Sequence, residues 1–72
     1  MMETLTRREQ QVADAVARGL SNRQIAAELG ISPETVKRHL ACTYDKLATR
    51  GRVMLALHVL RSAQHAETTT SS

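Results

Sequence analysis

Aromatic side chains are nearly missing from this chain: Tyr44 stands alone among 72 residues, with no Phe and no Trp. Single strands and RNA loops are held by stacking bases on several rings, so the shortage argues against that mode of binding. The one cysteine, Cys42, rules out an internal disulfide and a cysteine-based metal site, and is expected as a small, partly covered residue on a helix flank. His39 has no second histidine four residues away, so no metal site is expected there either. No apolar run approaches the roughly 18 residues of a membrane span, and no charged-then-apolar leader opens the chain. A cytoplasmic protein with no membrane association is expected. Paired carboxylates, Ser-His-Asp or Cys-His arrangements and glycine-rich phosphate loops are also missing. The sequence therefore predicts no catalytic residues, no cofactor and no small-molecule ligand. A chain of this length buries only about 60% of its unfolded surface, too little for a deep catalytic cleft.

Positive charge is present but unevenly spread. Met1 to Val36 carries Arg7, Arg8, Arg18 and Arg23 against five carboxylates, a net of −1. Lys37 to Arg61 carries Lys37, Arg38, Lys46, Arg50, Arg52 and Arg61 against Asp45 alone, a net of +5. Such asymmetry points to a polyanion, most often nucleic acid, although a solvated basic face would give the same count.

Period-two alternation and β-branched clusters are missing, so no strand is predicted. Four helices are. Thr6 with Glu9 is a capping box that starts the first near Arg7, and Val12, Ala13 and Val16 recur at helical spacing until Gly19. Ser21 with Gln24 is a second capping box, and Leu20 with Ile25 fits the hydrophobic staple. Ile25, Ala26 and Leu29 form the short second helix's buried stripe, and Gly30 supplies a left-handed turn. Ser32 caps the third helix with Pro33 at its first position, and Ile31 with Val36 repeats the staple. Two helices joined by so tight a turn make a helix-turn-helix at about 21–40, which the first helix supports.

The third helix, about 33–47, has two faces. At about 100° per residue, Val36, Leu40, Thr43 and Leu47 fall together as a buried stripe. The Thr43 hydroxyl then needs a carbonyl one turn back. Glu34, Lys37, Arg38, Ala41 and Asp45 lie opposite. A major groove accepts such a helix with its first turns against base edges, which is where Lys37 and Arg38 stand. Ala41 is small enough for deep seating or for a thymine methyl. Asp45 is expected to orient a basic neighbour rather than accept from cytosine. His39, at the stripe's edge, is open to two readings, a packed histidine or a phosphate contact.

The stretches LTRRE (Leu5 to Glu9), SNRQIAAELGIS (Ser21 to Ser32), TVKRH (Thr35 to His39) and KL (Lys46 to Leu47) together resemble the LuxR-type, or GerE-like, helix-turn-helix domain of bacterial transcription regulators. The resemblance covers roughly Leu5 to Leu60. It implies an all-α, four-helix domain whose third helix enters the major groove and whose fourth forms the dimer contact. It implies further that Lys37, Arg38 and Ala41 face bases, and that Asn22, Thr35 and Lys46 lie near phosphates. Ala41 departs from the longer polar side chain frequent there, and Cys42-Thr43 from an Asn-Ile pair. Members usually carry this domain after a sensing domain; the opening Met and polar tail favour a stand-alone regulator over an excised domain.

The fourth helix, predicted over about 50–63, is apolar nearly all round. Val53, Ala56, Leu57 and Leu60 are expected to close the core. Met54, Leu55, His58 and Val59 are expected to face a second copy, giving a homodimer on a pseudo-palindrome. The domain is expected over 5–64, between a lead-in at 1–4 and a disordered polar tail at 65–72. The leading function is thus a sequence-specific double-stranded DNA-binding transcription regulator. Two alternatives remain: a region resembling the promoter-reading part of a sigma factor, in contact with RNA polymerase, and a module that sequesters a full-length regulator through the fourth helix.

Overall fold

The computed structural model describes residues 5–71, with side chains through Ser62. The expected lead-in at 1–4 lies outside the described residues. Four helices follow in order: α1 Arg7–Ala17, α2 Asn22–Leu29, α3 Pro33–Leu47 and α4 Arg52–Ser71, with no strand among the described residues. The fold is the all-α, four-helix form the sequence implies. Each of the first three starts is fixed by local hydrogen bonds. The Thr6 and Ser21 hydroxyls accept from the N–H groups of Glu9 and Gln24, whose side chains return the bond to the cap backbone. Ser32 caps α3 by accepting from the Thr35 N–H, with Pro33 in the first turn.

The three helix ends share one device. After α1, α2 and α3 the chain passes through a left-handed residue, and the next N–H reaches back five residues to a carbonyl. Leu20 bonds to Ala15, Ile31 to Ala26, and Thr49 to Tyr44, all within 2.9–3.1 Å. Glycine occupies two of these turns, Gly19 and Gly30, but the third is Ala48 at φ 54°. Its Cβ makes that conformation cost about 1 kcal/mol, and no turn-forming residue marks it in the sequence.

The core is Val12, Ala13, Ala15 and Val16 of α1, Ile25 and Ala26 of α2, Val36 and Leu40 of α3, and Leu55 of α4. Leu20, Leu29, Ile31, Leu47, Ala56 and Val59 pack against it. Thr43 is fully buried, and its hydroxyl donates to the His39 carbonyl at 2.7 Å, the local partner expected.

The expected division of the fourth helix fails at five positions, whereas Ala56 does pack against the core and Met54 and His58 are exposed. Leu55, assigned to the dimer interface, is 0% exposed in the core, and Val59, assigned with it, packs against the core. Val53, Leu57 and Leu60, assigned to the core, are 73%, 43% and 48% exposed. The cause is Arg52, whose guanidinium turns inward to the Asn22 side-chain oxygen at 2.6 Å and to the Leu20 carbonyl. Positions 52, 55, 56 and 59 share one helix face, so anchoring Arg52 sets the rotation of the whole element. Hydrophobicity could not choose between two nearly equal stripes. The helix also continues to Ser71, past the boundary expected at 63 and through most of the tail expected to be disordered. Once a helix exists, each further residue adds a hydrogen bond without a new nucleation step. The tail's side chains lie outside the described residues.

Candidate nucleic-acid interface

The outer face of α3 carries the residues that the sequence singles out for base contact. Val36, Leu40 and Thr43 are buried on one side, whereas Glu34, Lys37, Arg38, Ala41 and Asp45 are all exposed on the other. Lys37 and Arg38 stand in the first two turns, beyond the Ser32 cap. Neither has a hydrogen-bond or ion-pair partner among the described residues, so both cations face solvent. Asp45, expected to orient a basic neighbour, meets no cation among the described residues. Cys42, expected to be partly covered, is exposed, and His39 is half-buried.

Toward its C-terminal end the same face runs into a shallow groove lined by Ala41, Tyr44, Asp45, Ala48, Thr49 and Arg50. Arg50 is exposed there, a cation beside the residues expected to face bases, although the linear sequence places it four residues past Lys46 and out of the helix. The Thr49 hydroxyl is buried without a partner among the described residues.

The three residues expected near phosphates are placed differently from one another. Thr35 is half-buried at the start of α3, its hydroxyl 2.9 Å from that of Ser32. Asn22 opens α2 and is half-buried, its side-chain oxygen engaged by Arg52. Lys46 corrects the expectation. Its Nζ donates to the buried Glu9 carboxylate at 2.7 Å, and only 20% of its side chain is exposed, so it is a strut from α3 to α1. A lysine in a basic stretch reads as a surface charge; its partner lies 37 residues away, which no local pattern shows.

Glu9 is the other half of that strut and was foreseen only as a capping residue. One carboxylate oxygen, Oε1, accepts both from Lys46 and from the Thr6 N–H at 2.8 Å. The Lys46 ammonium first, and the Thr6 N–H next, hold the Glu9 carboxyl below its ordinary range, against the opposing effect of burial. Arg52 was likewise counted as surface charge, so two of the six cations from Lys37 to Arg61 are spent inside the fold. Arg18 and Glu28 form an exposed pair that ties α1 to α2.

Elsewhere, a cleft between α1 and α4 is lined by Asp14, His58 and Ser62 with Leu5, Leu47 and Val59. Asp14 accepts from Gln10 at 3.0 Å, and none of the three polar groups bonds to another, so no nucleophile–base pair forms there. Among the described residues no group of three or more His, Cys, Asp or Glu could hold a metal ion, and no helix is long and apolar enough to cross a membrane. On α4, Val53, Met54, Leu57 and Leu60 form an exposed apolar stripe, with His58 and Arg61 exposed beside it.

The sequence has known relatives. Residues 3–59 match the family model for bacterial regulatory proteins of the luxR family. The chain is 52% identical over 59 residues to a probable transcriptional regulatory protein, SgaR, of Hyphomicrobium methylovorum, covering 81% of this chain and 28% of that protein. It is 48% identical over 54 residues to the transcriptional regulatory protein UhpA of Escherichia coli strain K12, covering 75% of this chain and 28% of that one. The nitrate/nitrite response regulator protein NarP of the same strain is 46% identical over 57 residues, 79% of this chain and 26% of its own length. The chain thus spans little more than a quarter of these relatives. No solved structure matches it.

Proposed function

The chain belongs to the luxR family of bacterial regulatory proteins, DNA-binding transcription regulators rather than enzymes, and from that premise we propose that its α3 lies in the major groove of duplex DNA and reads bases with its outer face. The observation that carries this reading is the exposed set Lys37, Arg38 and Ala41, directly opposite the buried stripe of the same helix. A groove about 12 Å wide admits one helix, and a guanidinium can donate two bonds to one guanine edge. Arg38 and Lys37 supply the discrimination, and Ala41 seats the helix deeply or touches a thymine methyl. Asn22 and Thr35, at the starts of α2 and α3, approach phosphate oxygens and set the register.

The second part of the proposal is a homodimer through α4. The face is Val53, Met54, Leu57 and Leu60 with His58, in place of Leu55 and Val59. Its support is the exposure of four large apolar side chains on one helix, a surface that water covers poorly. Packing two copies there would set the α3 helices on half-sites about 34 Å apart along a pseudo-palindrome.

Selection from a random duplex library at about 0.15 M salt tests both parts, because that ionic strength suppresses non-specific phosphate binding. The expected product is an enriched inverted repeat. An enriched single half-site would overturn the dimer and keep base readout. No enrichment at all would overturn readout by α3 and leave the α4 stripe as the working surface, in a module that holds a full-length regulator or contacts RNA polymerase.

A further inference from the structure

We propose that Arg52 is a positioning residue for DNA binding that acts through Asn22, an inference that rests on the phosphate role proposed for Asn22 above. Arg52 opens α4, yet its side chain reaches back to both flanks of the Ser21 cap of α2. One terminal nitrogen donates to the Leu20 carbonyl and the other to the Asn22 Oδ1 at 2.6 Å. A guanidinium has donors and no acceptor, so only the oxygen of an amide can face it. The Asn22 side chain is thereby locked against flipping, and its Nδ2, with two N–H donors, is turned to the opposite side.

That Nδ2 meets no acceptor among the described residues. It is also not sealed from solvent, since the buried polar side-chain atom without a partner is the Thr49 hydroxyl. Its neighbours at this end of α2 are donors too. The Gln24 N–H is taken by the Ser21 hydroxyl and the Ile25 N–H by the Ser21 carbonyl, which leaves the N–H groups of Asn22 and Arg23 outside the helix's own bonds. The Arg23 side chain is exposed beside them. A phosphate oxygen is what such a set of donors takes. Without Arg52 the amide could rotate and offer its oxygen, which a phosphate repels.

A double-mutant cycle on DNA affinity tests this, with a thermal melt of every variant so that binding is read where all are folded. Asn22→Ala should weaken binding to the selected duplex about tenfold, the loss of one bond to a charged acceptor. Arg52→Lys keeps the charge but lacks the fork, and should weaken binding about fivefold in the parent and less than about twofold in the Asn22→Ala background. Equal factors in both backgrounds would overturn the inference alone, because Arg52 would then act through the fold in general. No effect of Asn22→Ala on binding would overturn the phosphate role of Asn22 and the inference with it. Asn22→Asp gives an independent check. A carboxylate should keep or strengthen the Arg52 contact, holding the melting temperature, while cutting affinity by about tenfold or more through repulsion of the phosphate. Unchanged affinity in that variant would contradict the placement of Nδ2.

Discussion

Lys37 and Arg38 on the outer face of α3 carry the same charge as Lys46 and Arg52 at the junction of α3 and α4, and do the opposite job. The first pair is exposed and makes no hydrogen bond or ion pair among the described residues. The second pair turns inward, Lys46 to a buried carboxylate of α1 and Arg52 to the loop that starts α2. On the proposed reading the first region meets DNA, and the second holds the helices at the angles that make the first usable. Formal charge along the chain therefore overstates the charge offered to DNA.

The sharpest way to separate the two regions is by what their variants damage. Leu55→Ala, in the core stripe that Arg52 sets, should cost about 3 kcal/mol, lowering the melting midpoint by roughly 12 °C or more. Leu57→Ala, on the exposed stripe, should change stability by less than about 0.5 kcal/mol while lowering the dimer fraction in sedimentation. Equal melting losses would show that the two stripes of α4 have been assigned wrongly.

Lys46→Ala should come next, with about 2 kcal/mol lost in urea unfolding, because Glu9 is left buried without its cation. If Lys46 met phosphates instead, that variant would melt normally and flatten the salt dependence of DNA binding. A pH series sharpens the same point. The Glu9 carboxyl titrates lower in the folded chain than in the unfolded one, so its stabilising contribution is complete above the unfolded value. It is lost as pH falls through the folded value. Removing Lys46, the largest cause of the depression, should therefore cost most above the unfolded value, and the gap between variant and parent should close as pH falls through the folded value. A constant offset between the two curves at every pH would contradict that linkage.

A gain in stability, smaller than the losses at Leu55 and Lys46, is expected at the turn between the regions. Ala48→Gly should raise stability by about 1 kcal/mol, since the left-handed conformation carries no Cβ penalty for glycine. A lowered urea midpoint would mean that the Ala48 methyl makes a contact worth more than the strain.

Local chemistry made most of this fold legible. Thr6, Ser21 and Ser32 cap the helices within one turn, and a buried stripe as distinct as Val36, Leu40 and Thr43 can face only inward. The family resemblance was readable from the same stretches. What could not be read was long-range. Glu9 with Lys46, and Arg52 with Leu20 and Asn22, join residues more than 29 apart in sequence, and each long basic side chain looks alike whether it points in or out. The phase of α4 was lost for the same reason: Leu55 and Leu57 are equally apolar, and the residue that chooses between them is charged. Ala48 was missed because nothing about alanine announces a left-handed turn.

The claim on which the rest depends is that the outer face of α3 discriminates between sequences without holding the fold together. Its most direct test is the Lys37→Ala/Arg38→Ala variant, measured for affinity to a selected duplex and to a scrambled one at about 0.15 M salt, with a melt alongside. The account predicts an unchanged melting temperature and a loss of at least about tenfold in the ratio of the two affinities. An unchanged ratio, or a variant that loses binding only because it unfolds, would contradict it.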